Sequence, residues 1–170
     1  KYAQGNPVTE LKIIGECDDT GTKITFLPDD TIFSETEFHF ETLSSRLREL
    51  AFLNKNITIV LRDDRIEKEF TYHYEGGIQS FVKHLNKNKN PIHEEPIYMT
   101  KSFDHTTIEV SIQYNEGYHE NIHSFVNNIN TVEGGTHYSG FATALTRAIN
   151  DYITKKGLLK KEKLSANSAD

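Results

Sequence analysis

Two histidines and a glutamate are the side chains that most openly suggest chemistry. His119-Glu120-Asn121-Ile122-His123 fits the pattern H-E-x-x-H, in which histidines one helical turn apart hold zinc and the glutamate activates a water, the chemistry of a zinc metallopeptidase. That chemistry requires a helix. Here the motif follows the turn residues Asn115-Glu116-Gly117 and enters a segment whose Ile122, Ser124, Val126 and Asn128 alternate as in a strand. In a strand, positions 119 and 123 lie about 13 Å apart, too far to share a metal whose bonds are about 2 Å long. The expectation is a surface hairpin that carries histidines, with the peptidase as the competing reading.

Other candidates have similarly quiet explanations. Gly134-Gly135-Thr136-His137 could cradle a phosphate at a helix start, but no Gly-Lys-Ser/Thr pattern follows, so a turn with Thr136 as helix cap is expected. Lys155, Lys156, Lys160, Lys161 and Lys163 could meet DNA; they equally suit a helix C-terminus and a solvated tail. Asp63/Asp64 and Glu94/Glu95 sit in turns or loops and receive no acid-base role. Cys17 stands alone, so neither an internal disulfide nor a thiolate zinc site can form. No catalytic or metal-binding set is assigned.

The elements that must position these residues read as follows. Leu11–Ile14 and Thr22–Phe26 flank Asp18-Asp19-Thr20-Gly21 as a first hairpin, ended by Pro28-Asp29-Asp30. From Glu41 to Leu53 the period becomes helical, with Leu43, Leu47, Leu50 and Ala51 on one face. Ile57–Arg62, the turn Asp63-Asp64 and the alternating Phe70, Tyr72 and Tyr74 make a second hairpin. Gly76-Gly77 precedes a short helix marked by Ile78, Phe81, Val82 and Leu85, and the polar stretch Asn86–Pro91 is a loop. Ile97–Phe103 is a strand. Ile108, Val110, Ile112 and Tyr114 form another, expected to pair with Ile122–Ile129 across Asn115-Glu116-Gly117. A long helix begins at Thr136, buries Phe141, Leu145, Ala148, Ile149, Tyr152 and Ile153, and stops at Gly157; a mobile tail follows from Lys160. The order of elements predicts an α+β fold, a mixed β-sheet with helices on one face.

Composition sets the outer limits. With 36% hydrophobic and 26% charged residues in 170, the chain has enough apolar surface to fold. No apolar run approaches the ~20 residues of a membrane-spanning helix, and the first residues lack a signal peptide's apolar core, so a soluble, cytoplasmic protein is expected. A start at Lys1 without methionine suggests a piece of a longer chain. The net charge of −6 argues against a free-standing nucleic-acid binder, whose affinity comes mostly from neutralising phosphates.

Several stretches, in this order, carry a family likeness: Thr20–Asp29; Arg46-Leu47-Arg48-Glu49-Leu50-Ala51-Phe52-Leu53-Asn54; Tyr74-Glu75-Gly76-Gly77-Ile78; and Asn127-Asn128-Ile129 with Glu133-Gly134-Gly135-Thr136-His137. The chain resembles the ATPase subunits of type II DNA topoisomerases. The first stretch is similar to the closing strand of their GHKL-type ATP-binding domain, the rest to their transducer domain. Asn86-Lys87-Asn88-Lys89 with Pro91-Ile92-His93 tilts the likeness toward the gyrase B branch, with the ATPase subunit of topoisomerase IV as the alternative.

The resemblance implies that residues 1–36 end the ATP-binding domain and residues 37–170 are a transducer of ribosomal protein S5 domain 2-like fold, with one left-handed crossover, cut before its final strand and switch lysine. It implies ATP and Mg2+ as cofactors of the parent protein, and dimerisation of the B subunit on ATP. The implied partners are the gyrase A subunit, in a heterotetramer of two A and two B subunits, and double-stranded DNA. Of the adenine pocket, the positions matched are Thr22, whose hydroxyl in the family joins a water-bridged adenine contact, and Ile24, which packs near the base. Arg147 on the long helix is the candidate for lining the DNA cavity. The magnesium-holding Asn, the catalytic Glu, the adenine-reading Asp and the Gln-Thr-Lys switch are not matched in this sequence, so the chain alone is expected neither to hydrolyse ATP nor to dimerise with it, and to bind DNA weakly.

Overall fold

The computed structural model describes residues 1–16 and 18–158; Cys17 and the tail expected from Lys160 lie outside them. The chain divides into two compact units after Leu43.

The first unit has little regular structure. Two-residue strands β1 (Tyr2–Ala3) and β2 (Asn6–Pro7) pair antiparallel around Gln4 and Gly5, both with positive φ. Asp29 organises a turn, its carboxylate accepting from the Thr31 amide at 2.9 Å and hydroxyl at 2.6 Å. These bonds favour the ionised form and hold its carboxyl below the usual range. Phe26 and Phe38 meet edge to face at 5.9 Å. The expected hairpin of 11–14 with 22–26 is absent among the described residues: both segments are irregular, and Leu11, Ile13 and Ile14 are exposed. A lone two-stranded hairpin is marginal in water; strands of this composition need neighbours to cover an apolar face.

The second unit is built on helix α1 (Phe40–Leu53), which begins just before the dividing point. Hairpin β3 (Thr58–Asp63) and β4 (Lys68–His73) follows, in register from Thr58↔His73 to Asp63↔Lys68. Asp63 accepts from the Arg65 amide at 3.0 Å and from its guanidinium at 2.7 and 2.9 Å, and so fixes the turn. Helix α2 (Gly77–Asn86) packs against β6. Strands β5 (Ile97–Phe103) and β6 (Thr106–Ile112) pair along their whole lengths around Asp104. A small hairpin, β7 (Phe125–Val126) with β8 (Ile129–Asn130), turns at Asn127 and Asn128, both with positive φ. Helix α3 (Thr136–Lys156) ends the described chain.

The α+β class stands, with two corrections to its details. Among the described residues the hydrogen-bonded ladders are four separate antiparallel pairs, not one mixed sheet; each joins strands adjacent in sequence, where loop closure costs least. Nor does the segment 122–129 pair with 108–114. β6 is taken by β5, and the residues after it are held by the loop behind α2: the Ile92 amide donates to the Tyr114 carbonyl at 2.9 Å, the Glu116 amide to the Asn90 carbonyl at 3.2 Å, and Pro91 bridges Asn115.

Side chains of α1 spaced four apart meet the β3–β4 hairpin. Ser44 shares a buried 2.7 Å hydrogen bond with the Tyr72 hydroxyl, the Arg48 guanidinium lies 5.6 Å over the Tyr72 ring, and Phe52 stacks on Tyr74 with centroids 3.6 Å apart. This row lies beside the expected apolar stripe: of Leu43, Leu47, Leu50 and Ala51, only Ala51 is fully buried.

α3 starts and stops where its punctuation dictates, though not by the expected cap. Gly135 is the N-cap, at φ 155 and ψ 177, and no side chain caps the helix; Thr136 is its first residue. At the other end Gly157 is left-handed, its amide donating to the Thr154 carbonyl while that of Leu158 donates to Ile153, both at 3.2 Å, a Schellman closure. Phe141, Leu145, Ile149 and Ile153 are half-buried, whereas Ala148 and Tyr152 face solvent.

Two stability measurements follow from this geometry. Gly135→Val should lower the melting temperature clearly, at a cost of about 1–3 kcal/mol, because only glycine readily adopts this backbone region and a Cβ would lie 2.8 Å from the His137 ring. Thr136→Ala, with no capping bond to lose, should fall within about 0.5 kcal/mol of wild type. In urea titrations, Ser44→Ala and Tyr72→Phe should each cost about 1–3 kcal/mol by orphaning the buried partner, and the double variant should cost less than their sum.

Candidate functional site

The three later segments that carried the family likeness are far apart in sequence, and helix α1 brings them together. Arg46, ion-paired with Glu49 one turn on, donates to the Asn128 carbonyl at 2.9 Å. The Asn128 amide in turn donates to Asn54 Oδ1 at 2.8 Å, while the Asn54 amide returns to the Leu50 carbonyl at 2.8 Å. Asn54 thus satisfies a carbonyl at the helix end and grips the β7–β8 turn in one arrangement. Asparagine tolerates the positive φ such a two-residue turn demands.

From that turn the connection continues to α3. Ser124 and Thr131 close the hairpin base, with hydroxyls 2.6 Å apart and the Thr131 amide donating to the Ser124 carbonyl at 2.8 Å. The Thr131 hydroxyl then meets His137 Nε2 at 3.1 Å, and the Gly134 amide donates to the Thr131 carbonyl at 2.8 Å. These residues border a cleft of about 730 Å³ at the start of α3, lined among others by His123, Gly135 and Tyr138.

On its other side α1 meets the Tyr74–Ile78 stretch. Besides the Phe52–Tyr74 stack, the Lys55 stem lies across Gly77, whose φ is +57 and where a Cβ would fall 2.3 Å from Lys55 Cε. Lys55 Nζ reaches Glu109 at 3.1 Å and the Tyr98 hydroxyl at 3.3 Å, and Tyr98 donates to the same carboxylate. The Tyr98 hydroxyl, then the ammonium, hold the Glu109 carboxyl below its usual range; Tyr98, then Glu109, push the Lys55 ammonium up. This cluster escaped sequence reasoning. Its members are 43 and 11 residues apart, and no spacing rule relates them.

The zinc motif does not form. Residues 119–124 are irregular, Glu120 accepts from the Tyr138 hydroxyl at 3.3 Å, and the His123 ring lies parallel to Phe125 at 6.4 Å and edge-on to Phe81 at 5.4 Å. His123 is a packing ring. Among the described residues no group of three or more His, Cys, Asp or Glu is placed to hold a metal ion.

Thr22 and Ile24 lie on exposed, irregular backbone in the first unit, Ile24 being 80% exposed. They are not among the residues that line that unit's cleft of about 570 Å³. Arg147 is exposed on α3.

The family model described as DNA gyrase B matches residues 77–170. The chain belongs to the DNA gyrase B family. It is 56% identical over 162 residues to the DNA gyrase B protein of Bacillus mycoides, covering 94% of this chain and 40% of that one. With the DNA gyrase B protein of Clostridium acetobutylicum it shares 52% over 170 residues, covering 99% of this chain and 27% of that one. Among solved structures it is similar to the ATPase domain of Thermus thermophilus gyrase B in complex with an aminocoumarin, at TM-score 0.68 and 33% identity over 79% of this chain and 37% of that one. It also resembles the topoisomerase IV ATP-binding domain of Francisella tularensis, at TM-score 0.66 and 27% identity over 82% of this chain and 38% of that one. The chain thus spans about a quarter to two-fifths of the length of these relatives. No helix among its described residues is long and apolar enough to cross a membrane.

Two imidazoles on the aromatic cluster give this unit a pH signature. Partial burial against Phe52, then Arg48 and Lys87, lower the affinity of His84 for a proton; burial, then Lys89, do the same for His123. The unfolded chain therefore binds more protons than the folded one in mildly acidic solution. Stability should hold above the ordinary histidine value near 6.5 and fall as pH drops through it. Melting temperatures measured between pH 7.5 and 5.5 should show the decline, and the double variant His84→Gln/His123→Gln should flatten it; an unchanged slope would contradict the assignment.

Proposed function

We propose that this chain is the junction of a gyrase B-type protein: residues 1–36 complete its ATP-binding domain and residues 37–170 form the transducer that relays nucleotide state toward the DNA gate of an ATP-dependent type II topoisomerase. The observation that carries this reading is the α1 clamp. Arg46, Asn54 and Asn128, Phe52 with Tyr74, and Thr131 with His137 tie the family's separate signatures into one unit, as a relay needs if motion at one element is to reach another.

On this reading the parent protein binds ATP and Mg2+, assembles with a gyrase A subunit, acts on double-stranded DNA and works in the cytoplasm. Arg147, exposed on α3, would face the duplex. Identity above 50% to gyrase B proteins favours supercoiling over the decatenation typical of topoisomerase IV.

On this reading the chain's part in turnover is positional. The relay depends on differential contacts in two states, and Thr22 and Ile24 would contribute to the base end of a pocket completed by other residues. The full-length protein, mixed with a gyrase A subunit, relaxed plasmid and Mg2+, should introduce negative supercoils when ATP is added. Decatenation without supercoiling would move it to the topoisomerase IV branch, and ATP-independent behaviour would overturn the reading. The isolated chain should release no phosphate from ATP and should sediment identically with and without a non-hydrolysable analogue. A dimer formed only with the analogue would show that its nucleotide contacts have been misplaced.

A further inference from the structure

The chain carries a net charge of −6, yet Lys87 and Lys89 stand exposed two residues apart on the loop that follows α2. The rings of His84 and His123 rest on the same aromatic stack, His84 at 5.4 Å from Phe52 and His123 at 5.4 Å from Phe81, with Phe52 and Phe81 5.2 Å apart. The charges acting on these imidazoles are cations: Arg48 and Lys87 on His84, Lys89 on His123. Lys83, on the same helix, is neutralised by Glu95 at 2.6 Å and stands outside the group.

The loop that bears Lys87 and Lys89 is held in place. Asn86, buried at the end of α2, donates to the Gln113 carbonyl and side chain, both at 3.2 Å, and accepts from Asn115 at 3.0 Å. Asn90 donates to Glu116 at 3.1 Å, and the Lys89 amide donates to the Asn86 carbonyl at 2.9 Å. The hydrogen bonds of the asparagines at its two ends anchor the loop, while Lys87 and Lys89 are exposed. A lysine at a helix C-terminus is ordinary; two lysines exposed on a braced loop form a preorganised pair of cations.

Resting on the proposed topoisomerase function, we propose that the Lys87–Lys89 loop contacts the phosphate backbone of double-stranded DNA. Between its anchoring asparagines the loop carries Lys87, Asn88 and Lys89, two cations and one amide, and no apolar side chain. Such chemistry suits a regular polyanion read without regard to sequence, whereas a protein partner would call for an aromatic or aliphatic hot spot.

The test uses the full-length protein and fluorescence anisotropy with a mixed-sequence duplex across a potassium chloride series. Lys87→Gln/Lys89→Gln should weaken binding about tenfold and reduce the slope of log affinity against log salt by about two, one for each phosphate no longer neutralised. Lys87→Arg/Lys89→Arg should restore both values, and Lys83→Gln should change neither. Melting temperatures equal to wild type exclude misfolding, and any variant that melts early is replaced by its single substitutions at Lys87 and Lys89. Unchanged affinity and slope in the Gln variant would overturn the inference. So would loss of binding to polyglutamate with duplex affinity intact, which would assign the face to an acidic protein. If wild-type protein supercoils plasmid while the Gln variant binds DNA normally, the inference fails alone; if wild-type protein fails to supercoil, the functional reading fails first.

Discussion

The second unit depends on the burial of one ring. Phe52 is almost wholly withdrawn from solvent and is met from three directions, by Tyr74 of the segment after β4 and by Phe81 and His84 of α2. A buried phenylalanine contributes about 1.5–3 kcal/mol through its transfer from water alone, and ring pairs add about 0.5–1.5 kcal/mol each. Its larger effect is geometric. With the end of α1 fixed against α2 and the β3–β4 hairpin, Asn54 and Lys55, the next residues, stand at defined positions, one facing the β7–β8 turn and the other facing β5 and β6. The polar contacts of the unit radiate from the residues next to Phe52.

That arrangement gives the unit mechanical continuity. The Asn54–Asn128 amide pair is short at 2.8 Å, and the Thr131 hydroxyl joins His137 at 3.1 Å to the Ser124 hydroxyl at 2.6 Å. The aromatic stack, in contrast, tolerates small sliding. A polar chain on one side of α1 and an aromatic stack on the other join the elements of the unit. The same stack carries His84 and His123, which couples packing to the electrostatics of the neighbouring cationic loop.

The first unit follows a different balance. Its apolar residues at 11, 13, 14, 24 and 27 are exposed, and its regular structure is limited to two residue pairs and a carboxylate-capped turn. Strand-forming sequence without a covering layer does not order itself, because backbone entropy of about 1–2 kcal/mol per residue outweighs what an isolated hairpin returns. The family relation places these residues among longer relatives, in which the chain spans at most two-fifths of the length.

Much of this was legible in the sequence where local physics decides. The helical period from Glu41 to Leu53, the β3–β4 hairpin around Asp63-Asp64 and the stop of α3 at Gly157 each follow from side-chain period or backbone permissiveness over a few residues, and each is present. Sequence also showed that H-E-x-x-H lacked a helix, and its motif order placed the chain in its family. Tertiary structure decided the rest. Pairing of β6 with β5 rather than with 122–129 depended on which edges were already occupied, a property of the whole unit. The α3 start fell to Gly135, because a backbone conformation that only glycine enters readily outweighed the hydroxyl of Thr136. Lys55, Tyr98 and Glu109 met only after α1, β5 and β6 were in place. Local sequence determines what each segment prefers by itself; which segments become neighbours is decided by competition for the same few buried surfaces and strand edges.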